Sequence, residues 1–381
     1  TNMKKYIMAA ALVMGFAAAA NAQENKLVVK PSGRILMDAA FLNSSNKAVD
    51  EQCVDGVNVP DIRIGMKVSY GKWEGKADIG YARGSVSPKD IFIQYNFNKQ
   101  NFLRGGYFVH QFGYQSATSS SFKVSMEEPE THSAFGVGGR LVGLMYEHSD
   151  DKFMGTGSVY TDAQSFKKQT NQTGYQGTGF LTRLVYHPLI EKGNLFHVGI
   201  GLNYELAAEN RSNMEFKAPY PVRVAGINAI GAKITDAKND FKFSGELMAA
   251  KGHVGIEGQY IFMNVDRKGD AKSYNAWGAY GNLRFLLNNE YEYVKNDAGI
   301  ATPAPKSWEL VAAYNYTDMN DAKAGFHGGK LSDWALTMNY YINKYMIWRV
   351  SGHIVRAGES DYSGFNKNTF RVIETRLQFK F

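Results

Sequence analysis

Apolar and polar residues alternate with a period of two along most of this chain. Ile62, Ile64, Met66, Val68 and Tyr70 share one parity, and Asp61, Arg63, Gly65, Lys67 and Ser69 share the other. The same holds for Trp73, Ala77, Ile79 and Tyr81 against Glu74, Lys76 and Asp78, and for Ile91, Ile93, Tyr95 and Phe97 against Asp90, Gln94 and Asn96. It returns late in the chain, where Leu336, Met338, Tyr340 and Ile342 oppose Asp333, Thr337 and Asn339. A side-chain period of two is the signature of extended strands. Seventeen such segments can be marked: 33–42, 60–70, 73–81, 88–97, 101–112, 139–148, 153–160, 177–188, 196–206, 222–234, 240–250, 253–265, 273–286, 306–316, 331–342, 346–357 and 370–381.

Segments of about ten residues with one apolar face and aromatic ends are what a transmembrane β-barrel needs, because hydrocarbon satisfies no backbone group and the ring must close. A soluble β-sandwich would also alternate, but would not explain the aromatic ends. A barrel with both termini on one side has an even number of strands. Segment 222–234 is the weakest, broken by Gly226, Asn228 and Gly231, so it is assigned to a long external loop over 207–239. The expected fold is all-β, a closed antiparallel transmembrane barrel of sixteen strands. The final strand places Leu377, Phe379 and Phe381 on its apolar face and stops on an aromatic residue. That ending resembles the C-terminal signal read by the barrel-assembly machinery of Gram-negative outer membranes.

The N-terminus agrees with export. Lys4 and Lys5 precede an apolar stretch and then Ala20-Asn21-Ala22. The stretch is about 15 residues, short of the roughly 20 that span a bilayer, and reads as a signal peptide over 1–22, cleaved after Ala22. The expected domain is a single barrel over 23–381.

Composition narrows the chemistry. Aromatic residues make up 13% of the 381, with 39 glycines and only 9 prolines, which suits many strands and tight turns. Cys53 is the one cysteine, so no internal disulfide forms, and no metal cluster or cofactor motif accompanies it. The histidines show no spacing that gathers a catalytic set, and Gly136-Val137-Gly138-Gly139 lacks the Lys-Ser or Lys-Thr of a phosphate-binding loop. No enzyme, metal or cofactor is expected. The net charge of +7, in an exported protein, points to small anionic solutes or outer-leaflet lipid rather than nucleic acid.

The stretch VSPKDIFIQYNFNKQNFLRGGYFVHQFGYQSATSSSFKVSMEEPETHSAFGVGGRLVGLMY resembles the core of the phosphate-selective porin O and P family. A Lys-Asp strand start, a Gly-x-Phe-x-x-x-Phe-Gly segment, a Thr-Ser-Ser and a Met-Glu follow in that order. YHPLIEKGNLFHVG, KSWELVAAYNYTDMND and GGKLSDWALTMNYYINKYMIWRVSGHIVRA extend the likeness over nearly all of the remaining chain. The resemblance implies a trimeric, sixteen-stranded outer-membrane porin whose third external loop, here 113–138, folds inward and constricts the pore. It implies passage of small hydrophilic solutes and inorganic ions, with phosphate among them. The chain departs from the family where Val109-His110-Gln111 replaces a Lys and a Pro, and where Glu128 stands at a common Arg.

By parity Arg34, Arg63, Lys67, Lys76 and Arg104 face the lumen from the first five strands, with Asp38, Asp61, Glu74 and Asp78 on the same wall. Lys123, Glu127, Glu128, Glu130 and Arg140 join them as expected pore-lining residues in and beside the loop. Three arrangements stay open: mixed ion pairs in a solvated lumen, a transverse field between basic wall and acidic loop, and a ladder of cations for anions. The alternatives to a general porin are an adhesin or structural surface barrel, and a channel specific for another anionic solute or a sugar.

Overall fold

The computed structural model describes residues 26–82, 84–137, 139–161, 177–208 and 212–381; the expected signal peptide lies outside them. Sixteen strands form a closed antiparallel ring. The first nine are β1 (Val28–Ser44), β2 (Gly56–Tyr70), β3 (Trp73–Ala82), β4 (Ser85–Asn96), β5 (Asn101–Phe108), β6 (Leu141–Ser149), β7 (Phe153–Thr161), β8 (Thr178–Glu191) and β9 (Asn194–Leu206). A separate hairpin follows, β10 (Met214–Pro219) with β11 (Asn228–Ile234). The ring resumes with β12 (Ala237–Lys251), β13 (Val254–Arg267) and β14 (Tyr274–Leu286). A second small hairpin, β15 (Tyr293–Val294) with β16 (Gly299–Ile300), precedes β17 (Ser307–Asp321), β18 (Phe326–Tyr341), β19 (Met346–Ala357) and β20 (Asn368–Lys380). Sixteen strands therefore remain once 222–234 is set aside, and part of that segment pairs only within its own hairpin.

Burial is inverted relative to a soluble sheet. On β18 Trp334 and Leu336 are 61% and 64% exposed, whereas Asn339 is fully buried. Aromatic pairs brace the outer surface near strand ends, among them Trp308 with Tyr340 at 4.2 Å, Trp73 with Tyr95 at 4.8 Å and Trp277 with Tyr316 at 5.3 Å. Such amphipathic rings suit the two membrane interfaces.

Most connections at the end where β1 begins and β20 finishes are short. Turns 71–72, 192–193 and 252–253 hold two residues each, with Gly71, Gly193 and Gly252 in left-handed backbone that a side chain would strain. The connection 287–306 breaks this rule and carries the β15–β16 hairpin, which turns toward the lumen. Arg183 on β8 donates to Asp297 O at 2.9 Å and Ala298 O at 3.1 Å, and Tyr291 Oη donates to Glu309 on β17 at 3.0 Å. A Cβ on Gly299 would lie 2.5 Å from the Tyr114 ring, so only glycine allows the hairpin this close to the 109–140 connection.

At the opposite end the lumen faces of β13 and β17–β20 are apolar: Ile261, Met263, Val265, Met319, Leu331, Val355 and Phe370. The β10–β11 hairpin covers them through Ala218, Tyr220 and Ile230, together with Phe135. This apolar plug explains why 222–234 lacks a lipid-facing pattern, since its buried residues serve an interior core. Helix α1 (Lys47–Gln52) sits in the first loop at this end, capped by the Asn46 side chain.

The seam pairs β1 with β20, Arg34 opposite Lys380 and Ile35 opposite Phe379. Phe381 adds two backbone bonds beyond the strand, donating to Gly33 O at 3.1 Å and accepting from Gly33 N at 2.9 Å. Its ring lies where a Gly33 side chain would be, 2.4 Å from a built Cβ. Each such bond contributes on the order of 1 kcal/mol, more where lipid offers no substitute. Deleting Phe381 is expected to reduce the heat-modifiable, folded form on unboiled gels and raise the unfolded form. Equal amounts of folded barrel in parent and deletion would contradict this account of the seam.

Candidate pore and its charged lining

A cavity of about 1130 Å³ runs along the β1–β6 wall. The period of two that turns Ile62, Ile64 and Met66 to the outside turns Arg63 and Lys67 inward. Pairing brings like charges together, because Arg34 is directly opposite Arg63 and Lys67 directly opposite Lys76. Like charges at such positions repel, so the carboxylates between them are required. Asp61 accepts from Arg34 Nε at 2.9 Å and lies 3.0 Å from Arg63. Glu74 is 2.6 Å from Lys67, while Asp90 bridges Lys76 at 3.1 Å and Arg140 at 2.7 Å. Arg104 has a different setting. It donates to Gln94 Oε1 at 2.9 and 2.7 Å, and its guanidinium sits over the Phe92 ring at 4.2 Å.

The 109–140 connection supplies the other side of the cavity. It contains the single turn α2 (Tyr114–Ala117) and the helix α3 (Glu130–Phe135). Its residues bond to lumen-facing groups across the ring. Tyr114 N donates to Glu246 on β12 at 2.7 Å, and Thr131 N to Asn315 on β17 at 3.1 Å. Val124 O accepts from Asn339 on β18 at 2.8 Å, and Ser121 O from Gln378 on β20 at 2.9 Å. Ser120 and Ser121 hydroxyls accept from Arg34 at 2.7 and 3.0 Å, so the loop tip meets the basic wall.

A model of the family described as phosphate-selective porin O and P matches residues 54–381. The chain belongs to that family. No curated protein matches its sequence. The porin is similar in fold to an anion-selective porin from Comamonas acidovorans, with TM-score 0.62 at 9% identity, covering 93% of this chain and 100% of that one. A loop L8 deletion mutant of OmpT from Vibrio cholerae aligns with TM-score 0.58 at 12% identity, over 93% and 99% of the two chains. Salmonella typhi OmpF in complex with daunomycin gives 0.55 at 12% identity, over 93% and 98%. Identities this low speak to the fold alone. The family and the closed ring together make the protein a porin channel of the Gram-negative outer membrane. Its turn end faces the periplasm and its loop end the exterior, following the usual placement of short turns and long loops.

Of the residues expected to line the pore, Arg34, Arg63, Lys67, Lys76, Arg104, Lys123, Glu128 and Arg140 border the cavity. Glu127 and Glu130 do not. Glu127 is clamped between Arg376 on β20 at 2.6 Å and Arg223 of the 207–236 connection at 2.7 Å. Burial works against its charge, and the two guanidinium groups outweigh that and hold its carboxyl below the usual range. Glu128 pairs with Lys123 inside the connection; burial opposes its ionisation, yet Lys123 and His132 hold it down to about 2. Glu130 is only 2% exposed and turned to the β18 wall, where burial and the neighbouring Asp333 carboxyl push it well above its ordinary 4.5. Leu377 and Phe379 lie on the outer face of β20, opposite the lumen-facing Arg376 and Gln378, whereas Phe381 follows the strand and borders the cavity.

Several cavity residues escaped the sequence reading. Arg223, Ser120 and Asp297 sit in connections where no period marks which way a side chain points. Ser351, His353 and Asp333 form a hydrogen-bonded chain, with 2.8 Å at each step. Ser351 also bonds to Thr337 at 2.8 Å, and none of the three borders the cavity, so the chain reads as packing beneath α3.

The raised Glu130 carboxyl has a consequence for pH. A carboxyl whose folded value lies above its unfolded one supports the fold fully below 4.5 and loses that support as pH rises toward the elevated value. Glu130→Gln keeps a donor toward Asp333 without the titration. It should match the parent at pH 4 and withstand heating better at pH 8, read as the temperature at which the folded band disappears. Equal temperatures at pH 8 would show that Glu130 is not held neutral by this site.

Proposed function

We propose that this porin is a passive channel with a mild preference for small anions, conducting along the β1–β6 wall. The observation that carries this is the cavity lining, where eleven Lys and Arg side chains meet six Asp and Glu. In a space this narrow the effective dielectric falls below that of water, and a surplus of five positive charges changes ion energies by roughly a few kcal/mol. The preference is mild because Arg34, Arg63, Lys67, Lys76, Arg140, Lys123 and Arg223 each have a carboxylate partner. The bonds from 109–140 to the far wall, the plug of the β10–β11 hairpin and the β15–β16 hairpin support an inward-folded constriction. Guanidinium and serine hydroxyl donors at Arg34, Arg63, Ser120 and Ser121 suit a tetrahedral oxyanion such as phosphate.

The assembly is proposed to be a trimer, as in the trimer form of Vibrio cholerae OmpT. Lipid covers the apolar belt, and the barrel-assembly machinery reads the C-terminal strand.

In planar bilayers with asymmetric KCl the reconstituted porin should give ohmic steps and a reversal potential on the chloride side. Among the three loop carboxylates only Glu128 borders the cavity, so Glu128→Gln alone should raise chloride over potassium permeability about twofold. Glu127→Gln replaces a clamp residue and Glu130→Gln a buried one, and neither should reproduce that shift directly. Silent bilayers with folded protein would favour a surface role without conduction. A reversal potential on the potassium side would overturn the anion preference.

A further inference from the structure

Lumen positions on β4 and β5 should be polar, and most are, yet three of them are phenylalanine. Phe92 shares its face with Gln94 and Asn96, and Phe102 and Phe108 share theirs with Arg104. Phe92 and Phe102 are partly exposed where they border the cavity, and Phe108, 1% exposed, backs them. They surround one group, because the Arg104 guanidinium carbon lies 4.2 Å from the Phe92 centroid, 5.0 Å from Phe102 and 5.5 Å from Phe108. Gly106 makes this possible. Its φ is +145°, and a Cβ there would stand 2.6 Å from Phe92 Cα, so a side chain would force the two strands apart.

Arg104 also differs from the other cavity arginines in its charge partner. Arg34, Arg63, Arg140 and Arg223 each meet a carboxylate. Among the described residues Arg104 has no ion pair within 4.0 Å, and its bonded neighbour is the neutral amide of Gln94. No carboxylate touches its guanidinium, Glu147, Asp90, Glu74 and Asp297 acting on it only from farther away, and its flat faces are set among rings. The pairing recurs at the loop tip, where Lys380 Nζ stands 3.5 Å from the Phe122 centroid, and both residues border the cavity.

Inorganic anions gain nothing from such rings. An anion with a flat apolar body does, because it displaces water from phenyl faces while its charged end meets the guanidinium. We propose that Arg104 with Phe92 and Phe102, backed by the buried Phe108, forms a subsite for organic anions carrying a flat apolar body, aryl carboxylates and aryl phosphate esters. This rests on the anion-channel reading above and names a substrate class for it. The rival account is that the rings only hold Arg104 in place.

The test is block of chloride current through the porin in planar bilayers, comparing phenyl phosphate with methyl phosphate and benzoate with acetate. Each pair shares its charged group and differs in the apolar body. The aryl member should reach half-block at about fivefold lower concentration. In Phe92→Leu/Phe102→Leu, with assembly checked by heat modifiability, the ratio should fall to about one. A ratio near one in the parent, or an unchanged ratio in the double variant, would overturn the subsite and favour the scaffold account. The parent titration decides even if the double variant does not assemble. Reversal potentials in the same membranes separate the two readings, since chloride-selective current with a ratio of one removes only this inference.

Discussion

A strand facing hydrocarbon can place its backbone N–H and C=O groups only in its two neighbouring strands, and that single requirement organises this porin. It forces the sheet to close, which makes the β1–β20 seam obligatory and gives Phe381 its place over Gly33. Closure then fixes which residues share an interior. Once the register sets Arg34 against Arg63 and Lys67 against Lys76, the charges of the first strands are confined to one wall. The interleaved carboxylates at Asp61, Glu74 and Asp90 follow from that confinement, since unrelieved like charges across adjacent strands would oppose pairing.

The interior is divided by the same logic. On the β13–β20 side the lumen faces carry apolar residues at the outer end and buried polar ones below. The first set is covered by the β10–β11 hairpin, the second by bonds from 109–140. Water and ions are left with the β1–β6 side. Glu127 joins three parts at once, tying the loop to β20 through Arg376 and to the outer hairpin's connection through Arg223. Its negative charge serves attachment rather than selectivity, in contrast to Glu128 at the cavity edge.

Strands were legible in the sequence because the lipid face tolerates only apolar residues, so the period of two survives in each. Parity alone set Arg34, Arg63, Lys67, Lys76 and Arg104 on the wall that borders the cavity. Connections obey no such filter. Nothing in Glu127-Glu128-Pro129-Glu130 tells which carboxylate meets water, because that depends on partners at Arg376, Lys123 and Asp333, which lie up to some 250 residues away in sequence. The 287–306 connection carried no signal for its inward turn, which depends on Arg183 capturing two of its carbonyl groups and on a glycine at 299. The β5 segment was expected to run to 112 but leaves the ring after Phe108, as His110 and Gln111 turn into the interior.

The central claim is that conduction follows the β1–β6 wall while the opposite side is filled. Single cysteines at two lumen-facing positions test it, Lys67→Cys bordering the cavity and Ser351→Cys on the filled side, with the buried Cys53 replaced by serine. Exposure to a bulky thiol reagent during bilayer recording should lower the current through K67C and leave S351C unchanged. Loss of current in S351C with K67C unaffected would contradict the account.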